Sequence, residues 1–255
     1  MKLIRNIAVA FSLYSQIPMP IFKWKEDDMK HNLVFLPWIG AIISGVYLLI
    51  IRLFDLVTFP MIARLAIFSL IPLIITGGFH VDGFMDVQDA LKSYKSSEEK
   101  LKILKDPNIG AFAIISLLKY CLIWVAALAV ILSYDDKRSL YLFSVSFFLV
   151  RGVTGILSLT LKHAKKDGML NMETEKMNRG DLAALIIEIL IGCTIMIMIH
   201  WLAGILAIVG LVLFTVYYRH MTYKQFGGVT GDTSGYFLVV GEEVVLVLVA
   251  ISTFI

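Results

Sequence analysis

Seven apolar runs, each close to the ~20 residues needed to cross a lipid bilayer as a helix, limit what this chain can become. They cover about 33–53, 61–79, 109–132, 139–161, 182–200, 202–218 and 234–255 of the 255 residues. Hydrophobic residues make up 58% of the chain and charged ones 17%, with a mean hydropathy of +0.82. A soluble globule is nearer ~45–50% apolar. The expected fold is therefore all-α: a polytopic membrane bundle of about seven transmembrane helices, forming one domain over 1–255.

The connections alternate in length. Those after the first, third and fifth spans are short, whereas 80–108, 162–181 and 219–233 are long and polar, so all the long ones fall on one side. That side also carries most of the basic residues. Lys2, Arg5, Lys23, Lys25 and Lys30 precede the first span. Lys92, Lys95, Lys100, Lys102 and Lys105 lie in the 80–108 loop. Lys162, Lys165, Lys166, Lys176 and Arg179 follow in the next loop, with Arg219 and Lys224 in the last. Only Arg52, Arg64, Lys137 and Arg138 face the other way, and the positive-inside rule then places the long loops in the cytoplasm. The localisation expected is the cytoplasmic (inner) membrane.

The first 20 residues bring Leu3, Ile4, Ile7, Ala8, Phe11 and Leu13 round at near-helical spacing beside Lys2 and Arg5, as in an interfacial helix. Pro18 and Pro20 end it, and Lys23–His31 is charged enough to require water. The first fully apolar run begins only near Leu33 and continues to membrane length, so no cleavable signal pattern is present. Cys121 and Cys193 sit inside apolar runs without metal-ligand spacing, as packing residues would. The basic residues form no aromatic-interleaved patch, which leaves nucleic-acid binding unsupported.

Chemistry concentrates in Gly77–Asp89, GGFHVDGFMDVQD. On a helix, offsets of four and seven residues put Asp82, Asp86 and Asp89 within roughly 60° of one another. Three carboxylates on one face repel unless they are solvated or gather round a cation. Mg²⁺ is the usual guest of an oxygen-only set that must also hold phosphate. Gly77 and Gly78 allow close backbone approach to a ligand, and a helix start favours anions. Following a membrane-length run, ionisable groups are more often functional than decorative. His80 can assist a metal ligand, orient a phosphate or accept a proton, or it can merely bond a carbonyl at a helix end.

Further candidates lie downstream. Lys105 and Asp106 open KDPNIGAF before the third span, where Asp106 could act on substrate or cap that span. Gly227–Gly235, GGVTGDTSG, opens the last span with Thr230, Gly231, Asp232 and Thr233; it suits anions at a helix start but has no GK[ST] of a P-loop. Glu242 and Glu243 lie two to three turns on and need partners; Glu243 shares the face of Asp232 more closely. Arg151, mid-span, calls for an acid or a substrate phosphate. Lys119 and Glu188 fit snorkelling or structural pairing.

Taken together, GGFHVDGFMDVQDAL, ILKDPNIGAF, Arg151-Gly152, and GGVTGDTSG with Gly241-Glu242 resemble, in order and spacing, the cobalamin synthase (adenosylcobinamide-GDP ribazoletransferase) family; IPMP at Ile17–Pro20 and PWIG at Pro37–Gly40 extend the likeness over nearly the whole chain. The resemblance implies an integral membrane enzyme that joins adenosylcobinamide-GDP to α-ribazole or its 5′-phosphate, releases GMP and requires Mg²⁺. It assigns Asp82, Asp86 and Asp89 to the acidic motif; the expectation built on it is that Asp82 and Asp86 bind the metal with Asp89 or Asp232 completing the set, while Arg151 and basic loop residues hold phosphates. Asp106 falls at the Lys/Arg-Asp turn, Arg151 at the membrane arginine, and Asp232 and Glu242 at the C-terminal acids. Many members carry a glutamate where Val239 stands here. Membrane lipid, a second copy or other corrinoid-pathway enzymes are the partners such a protein would meet. Two other classes compete. A CDP-alcohol phosphotransferase would continue Asp82-Gly83 with Ala-Arg, which is missing, and a transporter would show repeated halves, which are not evident.

Overall fold

The computed structural model describes residues 2–23, 26–134, 136–165, 168–175 and 177–255. Of the basic residues counted above, Lys25, Lys166 and Lys176 lie outside the described residues.

The described chain is helical: α1 (Lys2–Tyr14), a 3₁₀ turn (Glu26–Met29), α2 (Asn32–Leu56), α3 (Met61–Thr76), α4 (Phe79–Lys92), α5 (Ser97–Ile103), α6 (Ala111–Ser133), α7 (Lys137–Thr160), α8 (Met169–Glu175), α9 (Arg179–Ile199), α10 (Trp201–Phe226) and α11 (Gly231–Ser252). Six of these, α2, α6, α7, α9, α10 and α11, are long and apolar enough to cross a membrane. The helix α3 has only 16 residues and is joined to α4 at a bend of 93°. Consecutive glycines make that bend: Gly77 and Gly78 both adopt left-handed φ, 66° and 78°, which side chains with a Cβ resist. The expected second span is thus shorter than 61–79, and the 80–108 loop contains two helices, α4 and α5.

Side-chain contacts show which helix ends share a face. Lys137 Nζ lies 2.5 Å from Asp55 Oδ1, joining the end of α2 to the start of α7. The Tyr134 and Phe254 rings, at the ends of α6 and α11, are 5.4 Å apart. At the opposite pole Ser97 Oγ donates to the Gln225 carbonyl and Lys165 Nζ to that of Leu101, while His163 and Val229 form an isolated β-bridge. The three long connections therefore do gather on one face, and the described helices give six crossings, or seven when α3 and α4 are counted as one broken span.

At the centre stand α7 and α11, each with two thirds of its apolar window buried, while α6 and α9 turn most of theirs outward. Arg151 of α7 is 1% exposed and pairs with Glu242 of α11, satisfying in protein a charge that lipid would not accept. Glu188 is likewise buried and takes the Trp38 Nε1 hydrogen at 2.8 Å, whereas Lys119 lies on the outer surface.

The first helix is packed more firmly than a merely interfacial one. Val9 and Ala10 are fully buried, and Phe11 and Tyr14 join Leu33, Leu36 and Ile39 in a satellite core, while Leu3 and Ile4 stay exposed. The Tyr14 hydroxyl donates to Glu173 Oε1 of α8 at 2.8 Å, and burial raises that carboxyl to about 7. Cys193 packs against the core, but Cys121 is exposed on the outer face of α6 rather than packed inside.

Candidate active site

The site is built where α4 lies across the start of α11. The helix α4 turns away from α3 by nearly a right angle and is not among the six helices that are long and apolar enough to cross a membrane alone. The two helices touch through glycine. A methyl group on Gly83 would come within 2.9 Å of Asp232 Cα, and one on Gly235 within 3.0 Å of the His80 carbonyl oxygen. No other residue permits that approach, and it brings Asp82 and Asp232, 150 positions apart, onto one cavity of about 320 Å³.

Local capping fixes Asp232. The Thr230 hydroxyl accepts from the Thr233 amide at 3.2 Å and the Thr233 hydroxyl from the Thr230 amide at 2.8 Å, a reciprocal cap that starts α11 sharply. Asp232 then occupies the first turn, where the positive end of the helix suits a carboxylate. On α4, Asp82 is also in the first turn and Asp86 one turn later on the same face. Burial, and then the charges of Asp82, Asp232 and Asp89, raise the Asp86 carboxyl to about 6. The acids thus feel one another across the two helices.

Opposite the acids the cavity is basic. Lys105, Lys165 and His163 line it with Asn171 and the start of α11. The 162–181 loop supplies three of these, His163, Lys165 and Asn171; sequence reasoning expects basic loop residues at phosphate but singles out none of the three. A histidine and a lysine in a polar loop carry no signal of their own. They arrive through folding: the Ala164 amide bonds the Val229 carbonyl at 2.9 Å, and the Val229 amide bonds that of Lys162 at 2.9 Å, seating the loop beside the glycine-rich turn.

The remaining candidates divide. Lys105, Thr230 and Gly231 line the cavity. Asp89 departs from its expected place among metal ligands: Oδ2 takes the Gly110 amide at 2.6 Å and Oδ1 the Ala113 amide at 2.9 Å, so both oxygens cap α6. Asp106, expected at substrate or as that cap, does not cap α6. Its carboxylate is exposed and bonds the backbone and side chain of Asn108, which hold its carboxyl below the usual range. Thr233 is fully buried under its capping bonds. Gly77 and Gly78 make the bend and do not line the cavity; Gln16 packs over Gly77. His80 is buried and turns inward, its ring 6.3 Å from that of Tyr14. Arg151 and Glu242 neutralise each other within the bundle rather than reaching into the mouth. Val239, where the resembled family often has glutamate, is a buried wall residue, and Glu242 one turn on is paired with Arg151.

Among the described residues no three His, Cys, Asp or Glu side chains close round a single point as a complete metal shell. Asp82 and Asp232 at the cavity, with Asp86 behind them, instead form the partial oxygen set that Mg²⁺ accepts when phosphate oxygens and water complete its octahedron. The donor chemistry fits that ion.

Helices that cross the membrane, with acids and lysines facing across a water-accessible mouth, define an integral-membrane enzyme acting on phosphorylated compounds. The chain belongs to the cobalamin-5-phosphate synthase family, whose model matches residues 6–250. It is 33% identical over 240 residues to a protein of Lachnoclostridium phytofermentans named adenosylcobinamide-GDP ribazoletransferase, covering 94% of this chain and 90% of that one. Relatives of the same name in Listeria monocytogenes and Acinetobacter baumannii are each 32% identical, with 91% and 87% of this chain covered and the same shares of theirs. No solved structure matches the chain significantly.

Proposed function

We propose that this protein transfers a corrinoid-linked phosphoryl group from adenosylcobinamide-GDP to α-ribazole or its 5′-phosphate, at the end of cobalamin synthesis. The observation that carries the mechanism is the convergence of Asp82 and Asp232 opposite Lys105 and Lys165 on one cavity. A diphosphate has this shape of demand: charge to be neutralised from more than one side while the reacting phosphorus is held in line.

In the reaction, a ribose hydroxyl of the acceptor attacks the phosphorus attached to the corrinoid arm. A new P–O bond forms, the bond to the bridging oxygen of the diphosphate breaks, and GMP leaves with that oxygen. The hydroxyl proton passes to a carboxylate of the mouth. Asp86, held near 6, has the proton affinity for this at neutral pH and sits one turn from Asp82. Lys105 and Lys165 hold the phosphate oxygens, and the positive end of α11 favours the departing anion. Mg²⁺, when held by Asp82 and Asp232, supplies charge neutralisation on the diphosphate. The excess of Lys and Arg on this face supports a cytoplasmic mouth, where nucleotides and Mg²⁺ are available.

The test is GMP release by purified protein given adenosylcobinamide-GDP, α-ribazole and Mg²⁺. Release that requires all three is expected, with loss on chelation. A CDP-alcohol phosphotransferase would release CMP from a CDP-activated donor instead, and a transporter would release neither nucleotide.

A further inference from the structure

Beneath the mouth, deeper in the bundle, lies a second cavity between α3, α4, α6, α7 and α11. Its walls are mainly apolar, yet Ser69, His80, Trp124 and Arg151 all line it. Each of the four has a buried polar atom without a hydrogen-bond partner: Ser69 Oγ, His80 Nδ1, Trp124 Nε1 and Arg151 Nε. His80 is 7% exposed, Trp124 4% and Arg151 1%. An unmatched buried donor or acceptor is destabilising, so four on one cavity amount to a standing demand for a partner. The indole and guanidinium nitrogens can only donate. What satisfies them brings acceptors.

The cavity also limits the charge and shape of that partner. Arg151 is already neutralised by Glu242, so an anion gains little there. The rings of Tyr120 and Trp124 offer flat apolar surface. Its space of about 90 Å³ is several times the ~10–15 Å³ that one water requires by the same measure. Leu73 of α3 and Val125 of α6 line it and are 42% and 41% exposed, and Cys121 beside them is exposed as well, so it opens sideways towards lipid between α3 and α6. An acyl chain could enter there but would bring no acceptor.

The position relates it to the mouth. His80 precedes Asp82 by two residues on α4, and Val239 follows Gly235 by one turn on α11, roughly 6 Å deeper at 1.5 Å per residue. We propose that this cavity seats the heteroaromatic base of the nucleoside acceptor, entered from the membrane between α3 and α6, with the ribose rising past α4 towards Asp82 and Asp232. The proposal rests on the transferase reading above and adds where the acceptor's base is recognised. A benzimidazole-type base is uncharged, flat and largely apolar, and its ring nitrogen is an acceptor, which is the chemistry the walls demand.

Cys121 on the lip reports occupancy independently of turnover. In a Cys193→Ser background it is the sole thiol, and its alkylation by a lipophilic maleimide is followed in purified, lipid-reconstituted protein. 5,6-Dimethylbenzimidazole or α-ribazole should slow alkylation saturably, on the order of tenfold at ten times its Kd, whereas GDP should not. Trp124→Phe keeps the ring but removes the donor. It should weaken this protection and raise KM for the acceptor, leaving kcat and KM for adenosylcobinamide-GDP little changed. If the enzyme turns over but neither base nor nucleoside protects Cys121, the base site is refuted while the transferase reading stands. Protection that depends on phospholipid composition and ignores the base overturns the proposal in favour of a lipid slot. Absence of turnover in the wild-type protein refutes the transferase reading instead, and the alkylation result then shows separately whether a base binds.

Discussion

The bundle holds two sets of charged groups that differ in what answers them. Deep between α7 and α11, Arg151 and Glu242 satisfy each other. At the mouth, Asp82, Asp86 and Asp232 repel one another, with loop lysines and a histidine across the cavity. A paired charge far from water stabilises a helix contact if both partners remain. Carboxylates left to repel at a water-accessible mouth lower stability and are retained for what they bind. The contrast teaches that an acid's depth and its nearest partner say more about its work than its presence in a motif.

The comparison breaks first at Asp82 and Asp232. Replacing either with Asn should lower GMP release by ~10²-fold or more, the scale of losing a principal electrostatic element, while the melting temperature stays level or rises. A matching fall in melting temperature would make these acids structural. For the deep pair the reverse is expected: Glu242→Gln leaves a buried guanidinium unanswered and should cost ~3–5 kcal/mol, with Arg151→Met/Glu242→Met recovering much of it. Thermal unfolding in detergent reads both; no recovery in the double variant would give the pair a role beyond packing. Asp89→Ala tests a residue that the motif groups with the mouth and the geometry groups with packing. It should cost ~1–2 kcal/mol through two lost caps on α6, and retain more activity than Asp82→Asn. The smallest effect concerns pH. Since Asp86 accepts a proton only when ionised, and is held near 6, activity should fall as pH drops through about 6. Asp82→Asn removes one repelling charge, so in its residual activity that limb should shift to lower pH by less than one unit. A limb that stays put would separate Asp86 from the acids around it.

Much of this could be read from sequence because membrane crossing demands long apolar runs, and because long and short loops alternate with the charge bias. The site was legible only where chemistry follows local order. Asp82 and Asp232 sit in first turns recognisable from glycine and threonine, and Asp86 follows Asp82 by one turn. Asp89 was misleading because helical phase groups it with Asp82, while its partners, the Gly110 and Ala113 amides, belong to a helix more than 20 residues on. The right-angle bend escaped notice because nothing in Gly77-Gly78 alone distinguishes a loop from a hinge. His163 and Lys165 could not be foreseen, since their loop is placed by backbone bonds to Val229 that leave no trace in either segment's composition.

The way Asp89 grips the first turn of α6 has an evolutionary corollary. Residues 93–109 leave one end of α4 and return to a clamp on that same helix, and between those ends Ser97 is tied to Gln225, Leu101 to Lys165, and Lys105 lines the cavity. Length can therefore vary in this stretch only between those anchors, whereas the spacing between Gly83 and Asp89 tolerates no insertion. Natural variation in loop size should accumulate on the outer side of that clamp.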